Sequence, residues 1–452
     1  MKGICLLLVA ALSAVAACAE TRPKFGGTLV VGMRGSFSYE NKSSLNADDE
    51  LFRDAVLTNV CDRLVVLDDE GDPRSALAVS WRSEREQRSW YLTLRKNVDT
   101  PNGTLGAQAI ATPLALANPD WRVRPEGDEL LIQSEKPLPN LLSELAEPRN
   151  SVCLTAEDGR WIGSGPFQIA DFRAGQYIEL KAFDQAWQGR PFLNFIRFNM
   201  HSSGAAGGTS PTLRADLWQN EVPETVNSGV TQTSDALDLL ALVFAPNRGA
   251  GADLRLRKAI SLALDRSSIF SVLLRRTGEP GASLLPEWIS GYAHLFDQSQ
   301  NLLEAKRLES LAPVQTVSIA YDSSDPLAKL IAERVAVNAA EARIHMQVVA
   351  QPASQLGNAD VSLQRVRIAS PHPAAALQAL AGLLRMPRLQ AAENLTSAES
   401  LYALESEALQ DYTVIPLAHV PERVSASTRT HDWRMNRWGE INWADVWTEP
   451  QP

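Results

Sequence analysis

The chain of 452 residues is longer than one ordinary hydrophobic core supports, which calls for two or more lobes. Its 45% hydrophobic and 21% charged residues are those of a soluble globular protein. A formal net charge of −10 argues against a nucleic-acid groove, which needs a Lys/Arg surplus, and leaves cationic or neutral ligands open.

Residues 1–17 read as a signal peptide: Lys2 supplies the positive end, and the apolar run from Ile4 to Ala17 is too short for a comfortable membrane span. Val15-Ala16-Ala17-Cys18 has the form of a lipobox, with acylation at Cys18. Cleavage at Ala14-Val15-Ala16, giving a free exported protein, is the competing outcome. Cys5 leaves with the signal. Cys61 and Cys153 remain, in a compartment that permits a disulfide between them; two separate buried thiols are the other reading.

Downstream, Thr28–Val31 is a short strand, and 34–46 is a polar loop carrying Arg34, Phe37 and Tyr39 as exposed-looking side chains. Helical spacing marks Leu51–Leu64. Alternation marks strands at Trp90–Val98, Tyr177–Leu180 and Phe195–Phe198. Ser202–Gly208 is a small-residue linker, followed by an apolar strand at Leu237–Phe244. Next comes the most informative stretch, Asp253–Ile269. Asp253 can cap a helix whose Leu256, Ala259, Ile260 and Ala263 face a core, and Asp265 can cap a second run through Ile269, Phe270, Leu273 and Leu274. Val317–Ala320, Leu327–Ala340 and Met346–Val349 then form a strand, helix and strand crossover of a parallel sheet. Asp360–Leu363 and Val414–His419 are strands, and Ala398–Leu409 is a helix. The segment Trp433–Trp447 holds four tryptophans; packing of this segment onto the first lobe is favoured over a stacking platform for a ligand.

Catalytic constellations are not evident. The six histidines include no His-x-x-x-His pair, so no metal site or other cofactor is expected. Ser164 fails the nucleophile-elbow pattern, having Ile162 and Pro166 where glycines are needed. The chain is expected not to be an enzyme.

Arg257-Lys-Ala-Ile-Ser-Leu-Ala-Leu-Asp-Arg266 resembles the "vRkAisyAiDr" signature of the family 5 extracellular solute-binding proteins. Two further blocks, Leu77–Val98 and Gly163–Pro191, resemble that family in the same order. The resemblance implies an α/β, two-lobed periplasmic-binding-protein architecture (type II, cluster C-like) with a reduced third subdomain. It implies a first lobe from 24–50, 160–237 and 418–452, an accessory subdomain at 51–159, and a second lobe at 238–417. The function implied is that of an ABC importer's substrate-binding protein, a monomer holding a small solute or peptide between the lobes and handing it to permease subunits. It would be exported and held to the membrane by the lipid at Cys18. A transport-independent lipoprotein, using the same scaffold for sensing or protein contacts, is the alternative.

The family commonly fixes a peptide's amino terminus with an Asp in a "dypDP" segment. Here Ala369-Ser-Pro-His372-Pro373 puts His372 at that place, and a neutral imidazole does not pair a cation as a carboxylate does. Arg365 and Arg367 lie just before it and would suit an anionic group if they face the cleft. Trp288 and Tyr292 fall near where the family places cleft residues. With Arg34, Phe37 and Tyr39, these are the candidate ligand contacts.

Overall fold

The computed structural model describes residues 23–39, 46–201, 215–219, 229–245, 249–312 and 316–449. The expectations at the signal segment with Cys18 and at the 202–208 linker lie outside the described residues. Among the described residues, no helix is long and apolar enough to cross a membrane.

In chain order, β1 (Thr28–Arg34) leads to α1 (Ala47–Val60), entered through Asn46, whose side chain accepts from the Asp48 and Asp49 amides. An antiparallel unit follows: β2 (Ala78–Glu84), β3 (Ser89–Leu94), α2 (Ala107–Ala117), β4 (Arg122–Glu126) and β5 (Glu129–Gln133), with sheet order β2-β3-β5-β4. The chain then makes β6 (Phe167–Arg173), β7 (Tyr177–Ala182), β8 (Phe195–His201), β9 (Leu217–Gln219) and β10 (Gly229–Phe244). After α3 (Leu254–Ala263) come β11 (Val317–Asp322), α4 (Pro326–Glu341), β12 (Met346–Gln351), β13 (Val361–Arg367), α5 (Pro373–Leu383), α6 (Ala398–Leu409) and β14 (Val414–Ser427).

One large sheet runs through both lobes, in the order β6-β7-β8-β1-β9-β14-β10-β13-β11-β12. Its two halves are linked by β10 and β14. At about 3.3 Å per residue, the 16 residues of β10 reach roughly 50 Å, enough to run from one lobe into the other. Its start pairs with β14 at Thr231↔Ser425, beside β9, while its end pairs with β13 at Phe244↔Val361. Between those ends the β10–β14 register shifts at Thr233/Ala236 and Ala236/Asp238, opposite Pro421, and again at Leu240/Ala241, opposite Pro416. Proline lacks the ladder donor, and a bulge bends the strand, so the regular ladder is interrupted there.

Each lobe has its own apolar core. The first gathers Leu29, Phe52, Phe167, Ile196 and Phe198; the second gathers Ile260, Ile319, Ile331 and Val361 on one sheet face and Leu239, Val366, Leu377 and Leu380 on the other. A separate core around Leu92, Leu114, Leu130 and Leu141 holds the antiparallel unit. Helix α1 packs into the first-lobe core through Leu51, Phe52, Val56 and Val60. The expected boundary at residue 51 therefore falls inside a first-lobe helix, and the antiparallel unit begins beyond Cys61. Cys61 and Cys153 are bonded to each other, with Cα atoms 5.3 Å apart, at the two points where the chain leaves and re-enters this lobe.

The family-like blocks turn out to be joints. Gly163 and Gly165 lie so close to α1 that an added Cβ would stand 2.2 Å from the Val60 carbonyl oxygen and 2.4 Å from that of Asn59. Ser164 between them donates to Asp62 (2.8 Å), which also accepts from Trp187 (2.8 Å) and Gln188 (3.1 Å). In α3 the expected stripe of Leu256, Ala259, Ile260 and Ala263 is buried, and Asp253 and Asp265 both cap as expected. The second run is shorter than its pattern implied: one helical turn, Arg266–Ser268, widens into a π-turn over Ile269–Leu273. Arg257 donates to the carbonyls of Asp411 and Gly251, and Arg266 to that of Pro416. The arginines that begin and end the signature thus hold the entry of β14.

Candidate functional site

Where the lobes meet, an empty volume of about 900 Å³, partly open to solvent, lies against β1, α1, β14 and the 438–443 segment. Its apolar wall includes Val31, Met33 and Leu51 from the first lobe and Leu237 and Ile368 from the other side. Trp438 closes one end, packed at 5.2 Å on Trp288. The polar lining is mainly acidic: Glu50, Asp54, Glu422 and Glu440 stand against one cation, Arg367, among the described lining residues.

These carboxylates are held from behind. Arg53 donates to Glu50 (2.7 Å) and Asp54 (2.8 Å), and Arg63 grips both oxygens of Glu440 at 2.7 and 3.0 Å. Burial nevertheless pushes the Asp54 carboxyl up to about 6, with Arg53 opposing and Glu50 reinforcing that shift. Asp54 therefore titrates just below neutral pH, at a cavity wall. The cavity offers a ligand apolar faces, the indoles of Trp438 and Trp443, and a surplus of acceptor oxygens.

Behind this cavity lies an ion network joining the lobes. Asp48 at the start of α1 accepts from Arg34 (2.9 Å) and Arg365 (3.3 Å). Arg365 also meets Asp238 (2.6 Å) and Glu422 (3.1 Å). Arg367, the cross-strand partner of Asp238, bonds it at 3.4 Å and donates to the Trp438 carbonyl at 2.8 Å. Burial alone would lower the pKa of Arg365, but Asp238, Asp48 and Glu422 outweigh it and hold the pKa well above the ordinary value. The same burial pushes Glu422 upward.

Arg34, Arg365 and Arg367 are thus brought together at the interlobe cleft, but as parts of an ion network. An anion docking at Arg365 would have to displace three carboxylates. Two aromatic expectations are corrected. Phe37 is 6% exposed and makes edge contacts with Tyr39, Trp161 and Phe172, so both loop aromatics belong to a first-lobe cluster. Tyr292 is 3% exposed inside the second lobe and donates its hydroxyl to Glu405 (2.8 Å), whose carboxyl burial raises to about 7. Trp288 does reach the cleft region, but its indole N–H is committed to the Ala236 carbonyl (2.9 Å), and it braces Trp438. His372 precedes α5 and bonds Ser143 of the antiparallel unit at 2.7 Å; burial lowers its pKa. Sequence reasoning missed Glu50, Asp54, Trp438 and Glu440. The one usable signal was the tryptophan-rich tail: Trp433 and Trp443 enter the first-lobe core, and Trp438 and Trp443 line the cavity.

Residues 123–384, more than half of the chain, match the model of the bacterial extracellular solute-binding proteins, family 5 Middle. The chain belongs to this family. Among curated relatives, the nickel-binding protein NikA of Staphylococcus aureus is 23% identical over 320 residues, which cover 65% of this chain and 65% of NikA. Among solved structures, NikZ from Campylobacter jejuni in complex with Ni(L-His) superposes with a TM-score of 0.80 at 17% identity, covering 93% of this chain and 99% of NikZ. The oligopeptide-binding protein AppA from Bacillus subtilis, in complex with a nonapeptide, gives 0.76 at 17% identity, covering 95% and 100%. The two-lobed fold of family 5 is therefore shared almost from end to end.

Proposed function

We propose that this protein is the solute receptor of an ABC importer, capturing a small solute or peptide between its lobes and presenting it to membrane permease subunits. The observation that carries the reading is the cavity itself. It takes walls from both lobes and sits beside two crossing strands that bend at a bulge, the arrangement in which a two-lobed protein closes on a ligand. The carboxylates at Glu50, Asp54, Glu422 and Glu440 favour a ligand that carries positive charge. Among the relatives, one is named for nickel, a cation, and one for oligopeptides.

In this reading the protein binds and releases its ligand without turning it over, and works as a monomer. The first lobe comprises β1, α1, β6–β9 and the C-terminal segment, and the antiparallel unit between Cys61 and Cys153 is the reduced accessory subdomain. Export through residues 1–17 and a lipid on Cys18 would keep it beside the permease. Calorimetric screening with cationic peptides, amines and chelated metal ions tests the reading. Saturable heat that disappears in Asp54→Ala and Trp438→Ala is expected; no heat across the panel would contradict it.

A further inference from the structure

On the other side of the Arg34–Asp48–Arg365 network lies a second interlobe pocket, with about 560 Å³ of empty volume partly open to solvent. Its walls are mainly apolar, with Leu240, Leu274, Leu327, Ile331 and Val420, and it is lined by three arginines: Arg34, Arg365 and Arg423. The first two are engaged by carboxylates. Arg423 differs. No hydrogen bond or ion pair joins its side chain to any described residue, and its Nε is withdrawn from solvent without an acceptor. The carboxylate lining this pocket, Asp325, is turned to the α4 amide of Ala328 (2.9 Å), and burial raises its pKa.

We infer that this second pocket is an anion subsite in which Arg423 receives the carboxylate of a ligand whose branched apolar body fills the Leu240–Ile331 wall. A buried guanidinium Nε–H is costly to leave without an acceptor, and a planar carboxylate matches the fork of donors it belongs to. Burial lowers the pKa of Arg423, consistent with a cation lacking its counter-charge. The proposal rests on the receptor reading and adds a second ligand class to it, because this pocket and the acidic cavity select opposite charges.

The test uses the full mature chain and three probes of one shape: 4-methylpentanoate, its amide, and 3-methylbutylamine, titrated calorimetrically into wild type, Arg423→Gln and Arg423→Lys. The expected result is carboxylate binding that weakens about tenfold or more in Arg423→Gln, recovers in part in Arg423→Lys, and is absent for the amide. Amine binding at the acidic cavity should not change. Circular dichroism melting of each variant separates loss of fold from loss of site. Equal carboxylate affinity in wild type and Arg423→Gln overturns the subsite. So does binding of the amine alone, which leaves the receptor reading standing. Silence with all three probes, together with no small ligand retained by the wild type in native mass spectrometry, overturns both.

Discussion

Arg257 and Arg266 in the signature stretch, and Arg365 and Arg367 on β13, are all largely withdrawn from solvent, but their donors meet different partners. The signature pair gives its N–H groups to backbone carbonyls around β14, and burial lowers both pKa values, that of Arg266 to about 10. The β13 pair meets carboxylates that come from α1, β10 and β14. The first arrangement fastens one chain segment within one lobe. The second ties two lobes across a cleft. The residues that identify the family are therefore scaffold, while the cleft chemistry is carried by residues that family motifs do not mark.

Breaking each arrangement should separate them. Arg365→Ala leaves Asp238, Asp48 and Glu422 facing one another in a buried place, and should cost about 3–5 kcal/mol in urea unfolding. It should also loosen lobe closure, read as a larger radius of gyration in solution scattering.

A smaller effect, up to about 3 kcal/mol, should come from the cleft carboxylate. Asp54 holds its proton up to about 6 in the folded chain, above the ordinary 3.8, so the folded state binds the proton more tightly. Stability from this group is then greatest at acid pH, declines as pH rises from about 4 to about 6, and is flat above. Asp54→Asn should remove that slope from denaturation curves taken across the window. A cationic ligand should show the reverse trend, binding more tightly as Asp54 ionises.

Replacing Arg266 by Met removes donors to carbonyls without stranding a carboxylate, and should cost about 1–3 kcal/mol while leaving ligand affinity unchanged. The smallest effect belongs to His372→Ala, about 0.5–1.5 kcal/mol, through loss of the Ser143 hydrogen bond between the second lobe and the accessory unit. If Arg266→Met altered affinity as strongly as Arg365→Ala, the division between scaffold and cleft would fail.

Much of the scaffold was legible because its signals are local. Asp253 and Asp265 lie next to the turns they cap, and the α3 stripe repeats within a single helix. Helix α5 was not marked, because Pro373–Leu383 is nearly apolar throughout and shows little contrast between faces. The cleft was less legible because its partners are remote in sequence. Phe37 and Tyr39 lie in a polar loop, and only folding brings Trp161 and Phe172 against them. Arg367 was visible as an arginine, but Asp238 becomes its partner only through the β10–β13 register. Glu50 and Asp54 look like an ordinary solvated helix face until the opposite lobe covers it.

Native mass spectrometry of the protein purified from its own envelope tests the central claim most directly. The account predicts a discrete added mass on the wild-type chain, bearing positive charge as a free species, that is lost from Asp54→Ala and Trp438→Ala. A bare polypeptide mass in the wild type, unchanged after incubation with cationic peptides and amines, would contradict it.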